Sequence, residues 1–364
     1  MAQNTSVSQG TATITIGEAI KALTFHVQHR QNCILFGAPG IGKTDIAKQV
    51  VANLRYELDN LPYDILIMHP QVADPTDFKG MPGFNTDENG VKWAEFFAFG
   101  DLRRMIEADR PLVVFLDDFG QAPRMVQAAI QQLILERRID GHKISDHVRF
   151  IMCANRAEDK AGVEGFLTTI KTRAFLYTVE PTVEDYSKWA IANNYPPECV
   201  AFIRFRGLEF LWARANPKFK PSLGCDNERT PRTVTNAFDA YVHGIPDGLE
   251  LAMYAGATDG GWAIEWLGFS RMFHALPNID LLYTDPSSFK CPGLDKVDVL
   301  YATTAAIAGR ATKANAKQFF ELVAKLPQDF GAFAVKDAFT RCPDIANTNH
   351  FVKWFQNNPD VIEG

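Results

Sequence analysis

The sequence lacks several features that would place the protein in a specialised class. Its 364 residues contain no run of about eighteen apolar residues, so no membrane-spanning helix is predicted. The amino-terminal residues lack the basic and apolar blocks of a signal peptide, and we therefore expect a cytoplasmic protein. The six cysteines form no Cys-x-x-Cys pair and the eight histidines form no His-Glu-x-x-His motif, which argues against zinc and redox sites.

Positive charge is also scarce. There are 37 Lys and Arg residues against 43 Asp and Glu, a formal net charge of -6, and no five basic residues stand in a row. This balance gives no overall attraction to nucleic acid or to anionic membranes. Residues 202–220 interleave basic and aromatic side chains, a pattern typical of a core helix and, less often, of a surface that stacks on single-stranded nucleic acid.

Apolar residues make up 46% of the chain, which is typical of a globular protein, and short apolar runs alternate with helical patterns up to about residue 180. The third and fourth runs are continuously apolar, as strands covered on both faces of a mostly parallel sheet require, and we place these two near its centre. Five strands are predicted, at 32–37, 63–69, 111–118, 148–155 and 174–180.

The pattern along the chain also predicts how it divides. Residues 1–14 are polar and are expected to be disordered, and a short helix then leads into the first strand. Strand signals fade after residue 180 and helical spacing replaces them. We predict an α/β domain over 15–183, a helical domain over 184–260 and a further helical region over 261–364, with helices near 298–308, 315–325, 330–340 and 350–356.

The strongest motif is GAPGIGKT at residues 37–44, between an apolar strand and a helical stretch. Glycines let backbone N–H groups surround phosphate oxygens at the positive end of the following helix, Lys43 reaches the terminal phosphates, and the Thr44 hydroxyl serves Mg²⁺. We therefore predict an ATP site with Mg²⁺ here. Its binding residues are Gly37, Ala38, Pro39, Gly40, Ile41, Gly42, Lys43 and Thr44.

An acidic pair follows the third predicted strand. Asp117 and Asp118 come directly after a run of apolar residues, where a magnesium–phosphate site needs carboxylates. Asp117 is predicted to hold the metal through water, and Asp118 to orient or deprotonate the attacking water.

Several segments together make the chain resemble the MoxR branch of the AAA+ ATPases, in the clade with an insert in its second helix. The resemblance covers residues 15–245 and implies a P-loop AAA+ domain followed by a helical lid. The segments are GAPGIGKT, QVADPTDFKGMP, FLDDFGQAPRMVQAAIQQLILERRIDG, FIMCANRAEDKAG, TTIKTRAFLYTVEPTVEDYSKWA and TPRTV.

The resemblance implies three further catalytic residues. Asn155 is similar to the polar sensor that contacts the γ-phosphate and the lytic water. Arg173 resembles the arginine finger that enters a neighbouring subunit's site, with Lys171 as the nearby alternative. Arg232 in TPRTV resembles the second sensor on the lid, where Pro231 would begin a helix.

One position departs from the family pattern. The family usually has Asp-Glu where this chain has Asp117-Asp118, so the second carboxylate is one methylene shorter. A displacement of about 1 Å at a reacting group can cost about a hundredfold in rate. We therefore expect ATP binding to persist and hydrolysis to be slow.

For function, the resemblance implies a ring oligomer, with six subunits expected, that remodels or matures a partner complex, often together with a von Willebrand factor A domain protein. The segments implied to face the pore are 78–93 and 138–147, where Met81, Phe84 and Trp93 would contact a client or pack their own hairpin. Two alternatives stay open: an ATP-binding scaffold with little turnover, and a nucleic-acid motor, which the acidic balance disfavours. No residue identifies the client.

Overall fold

A computed structural model describes residues 12–55, 60–86, 88–139, 141–156, 168–220, 227–276 and 278–358. The chain divides into two compact units, one ending at Glu180 and the other beginning at Pro181. We call them the sheet unit and the helical unit. Among the described residues, no helix combines the length and the apolar character needed to cross a bilayer.

The sheet unit contains all the strands of the described chain. They are β1 (Ala12–Thr15), β2 (Cys33–Phe36), β3 (Asp64–Met68), β4 (Met81–Thr86), β5 (Lys92–Phe97), β6 (Leu112–Leu116), β7 (Arg138–Ile139), β8 (His142–Lys143), β9 (Val148–Ala154) and β10 (Phe175–Glu180). Its helices are α1 (Ile16–Gln28), α2 (Lys43–Asn53), α3 (Pro75–Lys79), α4 (Gly100–Ile106), α5 (Arg124–Glu136) and α6 (Thr168–Lys171).

Six strands form one parallel sheet in the order β1-β10-β2-β9-β6-β3. The five predicted strands are confirmed as β2, β3, β6, β9 and β10. All residues of β6 and β9 are buried, as predicted from their apolar sequences, including Arg149 of β9, and both strands lie inside the sheet. Strands β4 and β5 form a separate antiparallel hairpin, and β7 with β8 forms another.

The sixth strand corrects the prediction of a disordered segment over 1–14. Residues 12–14 belong to β1, which pairs in parallel with β10 from Ala12 opposite Tyr177 to Thr15 opposite Glu180. The prediction was wrong there because two threonines made the segment look polar, whereas β-branched residues favour strands and Ile14 is buried. Residues 1–11 lie outside the described residues.

Helix ends in the sheet unit follow local capping chemistry. The Thr15 side chain accepts the Glu18 N–H at 3.2 Å while the Glu18 carboxylate accepts the Thr15 N–H at 2.8 Å, which fixes the start of α1 directly after β1. The helix predicted before the strand at 32–37 is thus confirmed as α1. On one face of the sheet, Ile130 and Leu133 of α5 share a core with Val114 of β6. Burying each such side chain stabilises the fold by about 2 kcal/mol.

In the helical unit, the described residues contain no strand, as predicted. Its helices are α7 (Val183–Ala192), α8 (Pro197–Arg206), α9 (Leu208–Leu211), α10 (Pro231–His243), α11 (Glu250–Ala257), α12 (Gly260–His274), α13 (Ile279–Thr284), α14 (Val297–Gly309), α15 (Ala316–Val323), α16 (Gln328–Arg341) and α17 (Asn349–Asn357). The last four match the helices predicted near 298–308, 315–325, 330–340 and 350–356.

One aromatic core joins both sides of residue 260. Trp262 and Trp266 of α12 pack edge-on against Phe202 of α8, with ring centroids 5.4 and 5.3 Å away, and all three side chains are fully buried. The predicted boundary at 260 stays a prediction. Aromatic pairs of this kind stabilise a core by about 1 kcal/mol beyond the area they bury.

The segment that interleaves basic and aromatic residues belongs to this core. Phe202 is fully buried, Arg204 pairs with the buried Asp337, and the Arg206 guanidinium lies 4.1 Å from the centroid of the Phe210 ring. The core-helix interpretation of residues 202–220 is thus confirmed for α8. These contacts engage the guanidinium groups of Arg204 and Arg206, which a nucleic-acid-binding surface would need to expose.

Candidate functional site

The GAPGIGKT segment runs from the carboxyl end of β2 into the first two residues of α2, as its sequence context predicted. Gly42 precedes α2 with φ of 97°, a left-handed conformation that only glycine adopts at little cost. This geometry turns the chain into the helix, and the N–H groups of the first helical turn have no partner within the helix. A helix start with this geometry favours an anion such as phosphate.

Gly37 is needed for a different reason, because the backbone is crowded there. A Cβ atom on Gly37 would lie 2.4 Å from Cδ1 of Ile41 and 3.1 Å from the Val179 carbonyl oxygen. Its N–H donates to the Ala154 carbonyl at 3.2 Å, which ties the loop to the end of β9. The loop is therefore held against the sheet by its first residue, Gly37, with the Ile41 side chain packed beside it.

Lys43 is buried at 7% exposure, with its ammonium group folded back into the loop. Nζ donates to the carbonyls of Gly37 at 2.9 Å and Ala38 at 3.1 Å, and to Oδ1 of Asn155 at 2.8 Å. A buried ammonium requires such partners because desolvation would otherwise cost several kcal/mol. The contact with Asn155 joins the loop to the residue that follows β9.

Thr44 and Asp117 meet at the carboxyl ends of β2 and β6. The Thr44 hydroxyl donates to Oδ2 of Asp117 at 2.6 Å, and the Asp117 N–H donates to the Met68 carbonyl at 2.9 Å, which fixes the backbone of the aspartate. Mg²⁺ prefers oxygen ligands and usually takes one or two from the protein, with the rest from phosphates and water. The pair fits this requirement, although the described residues hold no cluster of three His, Cys, Asp or Glu residues.

Asp118 has an unusual backbone conformation. Its φ is 51° and its ψ 32°, in the left-handed region where Asp and Asn are the least disfavoured residues after glycine. The conformation aims its carboxylate at Asn155, whose Nδ2 donates to Oδ1 of Asp118 at 3.1 Å. Strain of this kind costs on the order of 1–3 kcal/mol and clusters at functional sites.

The sequence patterns missed one neighbour of this site, Cys153. Its thiol is fully buried and donates to Oδ1 of Asp117 at 2.8 Å. Burial, and then the nearby Asp117 charge, raise the pKa of the Cys153 thiol well above its ordinary value, so the thiol keeps its proton. The five described cysteines form no disulfide, with three buried and two half-buried, and Cys225 lies outside the described residues.

Arg173 lies at the amino-terminal ends of the strands, opposite the ends that carry the loop. It precedes β10, whose first residue Phe175 pairs with Cys33 at the start of β2, whereas the loop follows the end of β2. The four residues of β2 span about 13 Å. The Arg173 side chain is exposed and has no hydrogen-bond or ion-pair partner in the described part of the chain. The structure therefore does not bring Arg173 to the loop of its own subunit.

Arg232 belongs to the helical unit. It is exposed and follows Pro231, which occupies the first turn of α10 as predicted. Thr230 caps this helix by accepting the Thr233 N–H at 3.3 Å. Pro231 and Thr230 thus fix the start of the helix that carries Arg232.

Two hairpins carry the segments predicted to face a pore. In the hairpin of β4 and β5, Phe84 is 82% exposed, and Met81 and Trp93 are also exposed. The imidazole Nε2 of His142 in the second hairpin lies 3.1 Å from the Phe96 carbonyl oxygen, so the two hairpins touch. Phe78, by contrast, is fully buried. Residues 87 and 140 within these segments lie outside the described residues.

The six-stranded parallel sheet and its glycine-rich loop have the P-loop AAA+ fold. A comparison with protein families agrees, because residues 32–173 match the family described as an AAA domain of the dynein-related subfamily. This part of the chain is therefore similar in sequence to an AAA+ domain. The match does not extend over the helical unit.

Two solved structures are similar to this chain at a low level, one of RuvB and one of NtrX. The RuvB Holliday junction branch migration motor of Thermotoga maritima is 11% identical, with 78% of each chain covered and a TM-score of 0.37. NtrX from Brucella abortus is 13% identical, with a TM-score of 0.33 over 93% of this chain, which spans 64% of the NtrX chain. Likenesses of this degree do not indicate a function. No curated protein sequence matches the chain.

Proposed function

We propose that this protein is a MoxR-type AAA+ ATPase that binds ATP with Mg²⁺ at residues 37–44, hydrolyses it to ADP and phosphate, and works as a hexameric ring. The ring would remodel or mature a partner complex, together with a von Willebrand factor A domain protein as the resemblance implies. The exposed hairpin of β4 and β5 is the surface we assign to client contact, with Phe84 at its most exposed point.

One observation carries the proposal. Five predicted site residues from three different strand ends are joined by contacts: Thr44 with Asp117, and Lys43 with Asn155, which in turn contacts Asp118. Lys43 and Asn155 are 112 residues apart along the chain, and Thr44 and Asp117 are 73 residues apart. A chance glycine-rich turn would not bring a lysine, a hydroxyl and two carboxylates to one edge of a sheet.

The contacts of Lys43 indicate what changes when ATP binds. The ammonium is held by two loop carbonyls and Asn155, and phosphate oxygens are better acceptors because they carry charge. We propose that Lys43 leaves the carbonyls for the terminal phosphates. Thr44 and Asp117 would hold Mg²⁺, which supplies charge neutralisation at the β- and γ-phosphates.

The remaining residues act on the attacking water and on the developing charge. Asp118 accepts a hydrogen bond from Asn155 and would orient water beside the γ-phosphate. Arg173 would stabilise the transferring phosphoryl group in a neighbouring subunit, which agrees with its position at the far edge of its own sheet. Arg232 would sense the γ-phosphate from the helical unit.

The proposal is tested by phosphate release at several protein concentrations with Mg²⁺ and saturating ATP. Because each site needs a neighbour's Arg173, the rate per subunit should rise with concentration until rings are complete. A rate per subunit that is constant from well below to well above the concentration at which oligomers form would contradict catalysis across subunits.

A second candidate function is an ATP-dependent assembly scaffold with little turnover. The short carboxylate of Asp118, already engaged by Asn155 at 3.1 Å, favours it. In that case ATP would assemble the ring and present the hairpins without being consumed. Tight binding of ATP without phosphate release, unchanged in the Asp118→Glu variant, would support the scaffold over the ATPase.

A further inference from the structure

Asp117, the proposed Mg²⁺ ligand, receives a hydrogen bond from a neighbouring strand. Sγ of Cys153 lies 2.8 Å from Oδ1 of Asp117, and Oδ2 of the same carboxylate accepts the Thr44 hydroxyl at 2.6 Å. The geometry points to Cys153 as a positioning residue: its thiol holds Oδ1 and thereby turns Oδ2 toward Thr44 and the metal position. This inference rests on the proposed function of the site.

The register of the sheet builds this contact. Leu116 of β6 pairs with Met152 of β9, so the next residues, Asp117 and Cys153, lie side by side at the ends of parallel strands. Oδ1 has a second donor, the Asp118 N–H at 3.0 Å, but that group belongs to the same turn as the carboxylate. Cys153 therefore supplies the restraint that comes from another strand, and its loss would leave the carboxylate freer to rotate.

A second buried thiol, Cys33, shows that burial in this sheet does not by itself give a cysteine a carboxylate partner. Cys33 on β2 is also fully buried, and burial raises its pKa to about 12, yet it has no hydrogen-bond acceptor in the described chain. The two cysteines lie on adjacent strands in the same sheet. Replacing Cys33 therefore reproduces the loss of a buried sulfur without touching Asp117.

The test measures how Mg²⁺ strengthens the binding of a non-hydrolysable ATP analogue, by calorimetry over a series of Mg²⁺ concentrations and in EDTA. Removing an outer-shell partner of a metal ligand typically costs about 10–100-fold in metal affinity. We expect Cys153→Ala to need at least about tenfold more Mg²⁺ to reach half of the maximal increase in analogue affinity. Its affinity for the analogue in EDTA should be unchanged. Cys153→Ser keeps a donor and should lie within about threefold of the parent.

Matched variants separate positioning from packing. Cys33→Ala should keep the Mg²⁺ midpoint of the parent protein even where it lowers the melting temperature. If Cys153→Ala does not fold, Cys153→Val fills the space without a donor and carries the same expectation.

The outcomes are distinct. A parent protein that binds the analogue with Mg²⁺, beside a Cys153→Ala variant with the same midpoint, overturns the role of Cys153 and leaves the proposed function standing. Equal shifts for Cys33→Ala and Cys153→Ala, or no recovery in Cys153→Ser, assign Cys153 to packing alone and also overturn it. A parent that binds no analogue at all overturns the proposed function and this inference together.

Discussion

The position of Arg173 predicts that two inactive variants restore each other's activity when mixed. Arg173 precedes β10 at the edge of the sheet where β2 begins, and about 13 Å of strand separate that edge from the loop that follows β2. Under the proposed function, an arginine at this place would complete a site only in another subunit. Removing such an arginine typically lowers turnover by about a thousandfold or more.

The perturbation is a pair of variants, Arg173→Ala and Asp118→Asn, each of which should bind ATP and hydrolyse almost none. In a randomly mixed ring of equal parts, a site is complete when its own subunit has Asp118 and its neighbour has Arg173. Since each condition holds for half of the subunits, about one quarter of the sites should work. The assay is phosphate release before and after the variants are mixed and allowed to exchange subunits.

Lys171→Ala is the matched control, because it removes a nearby positive charge from the same turn. It should keep the activity of the parent protein, and inactivity of this variant beside an active Arg173→Ala would move the finger to Lys171. Mixtures of Arg173→Ala and Asp118→Asn that stay as inactive as their components, although the variants form mixed rings, would refute catalysis across subunits.

Three further predictions follow from single contacts. Lys43→Ala removes the ammonium group that holds Gly37, Ala38 and Asn155, and calorimetry should detect no ATP binding to a protein that still unfolds cooperatively. Asp118→Glu extends the carboxylate by about 1 Å and should raise the turnover number about tenfold or more, whereas an unchanged rate would support the scaffold. Thr230→Ala removes the cap of α10 and should lower the free energy of unfolding by about 1 kcal/mol, measured by urea denaturation; an unchanged midpoint would show that the cap does not contribute.

Much of the sheet unit could be predicted because its signals are local. Strands β6 and β9 are covered on both faces, so every residue in them is buried, and their sequences are apolar except for the buried Arg149 of β9. Parallel strands end at a common edge, which is why residues following different runs, such as Thr44 and Asp117, were expected to meet. Their distance of 2.6 Å confirms that they do.

The missed features depend on long-range pairing. Strand β1 has four residues with two threonines, and only its partner β10 makes it a strand. Likewise, the contact of Cys153 with Asp117 follows from the register between β6 and β9, which no local pattern encodes. The left-handed backbone of Asp118 is set by the turn after β6, and its side-chain type alone gave no sign of it.

The central claim is that ATP binds with Mg²⁺ at the loop of residues 37–44. Calorimetric titration of ATP and Mg²⁺ into the folded protein tests it most directly. We predict saturable heat with one site per chain, lost in Lys43→Ala. Folded parent protein that gives no binding heat, at nucleotide concentrations up to the millimolar range, would contradict the account.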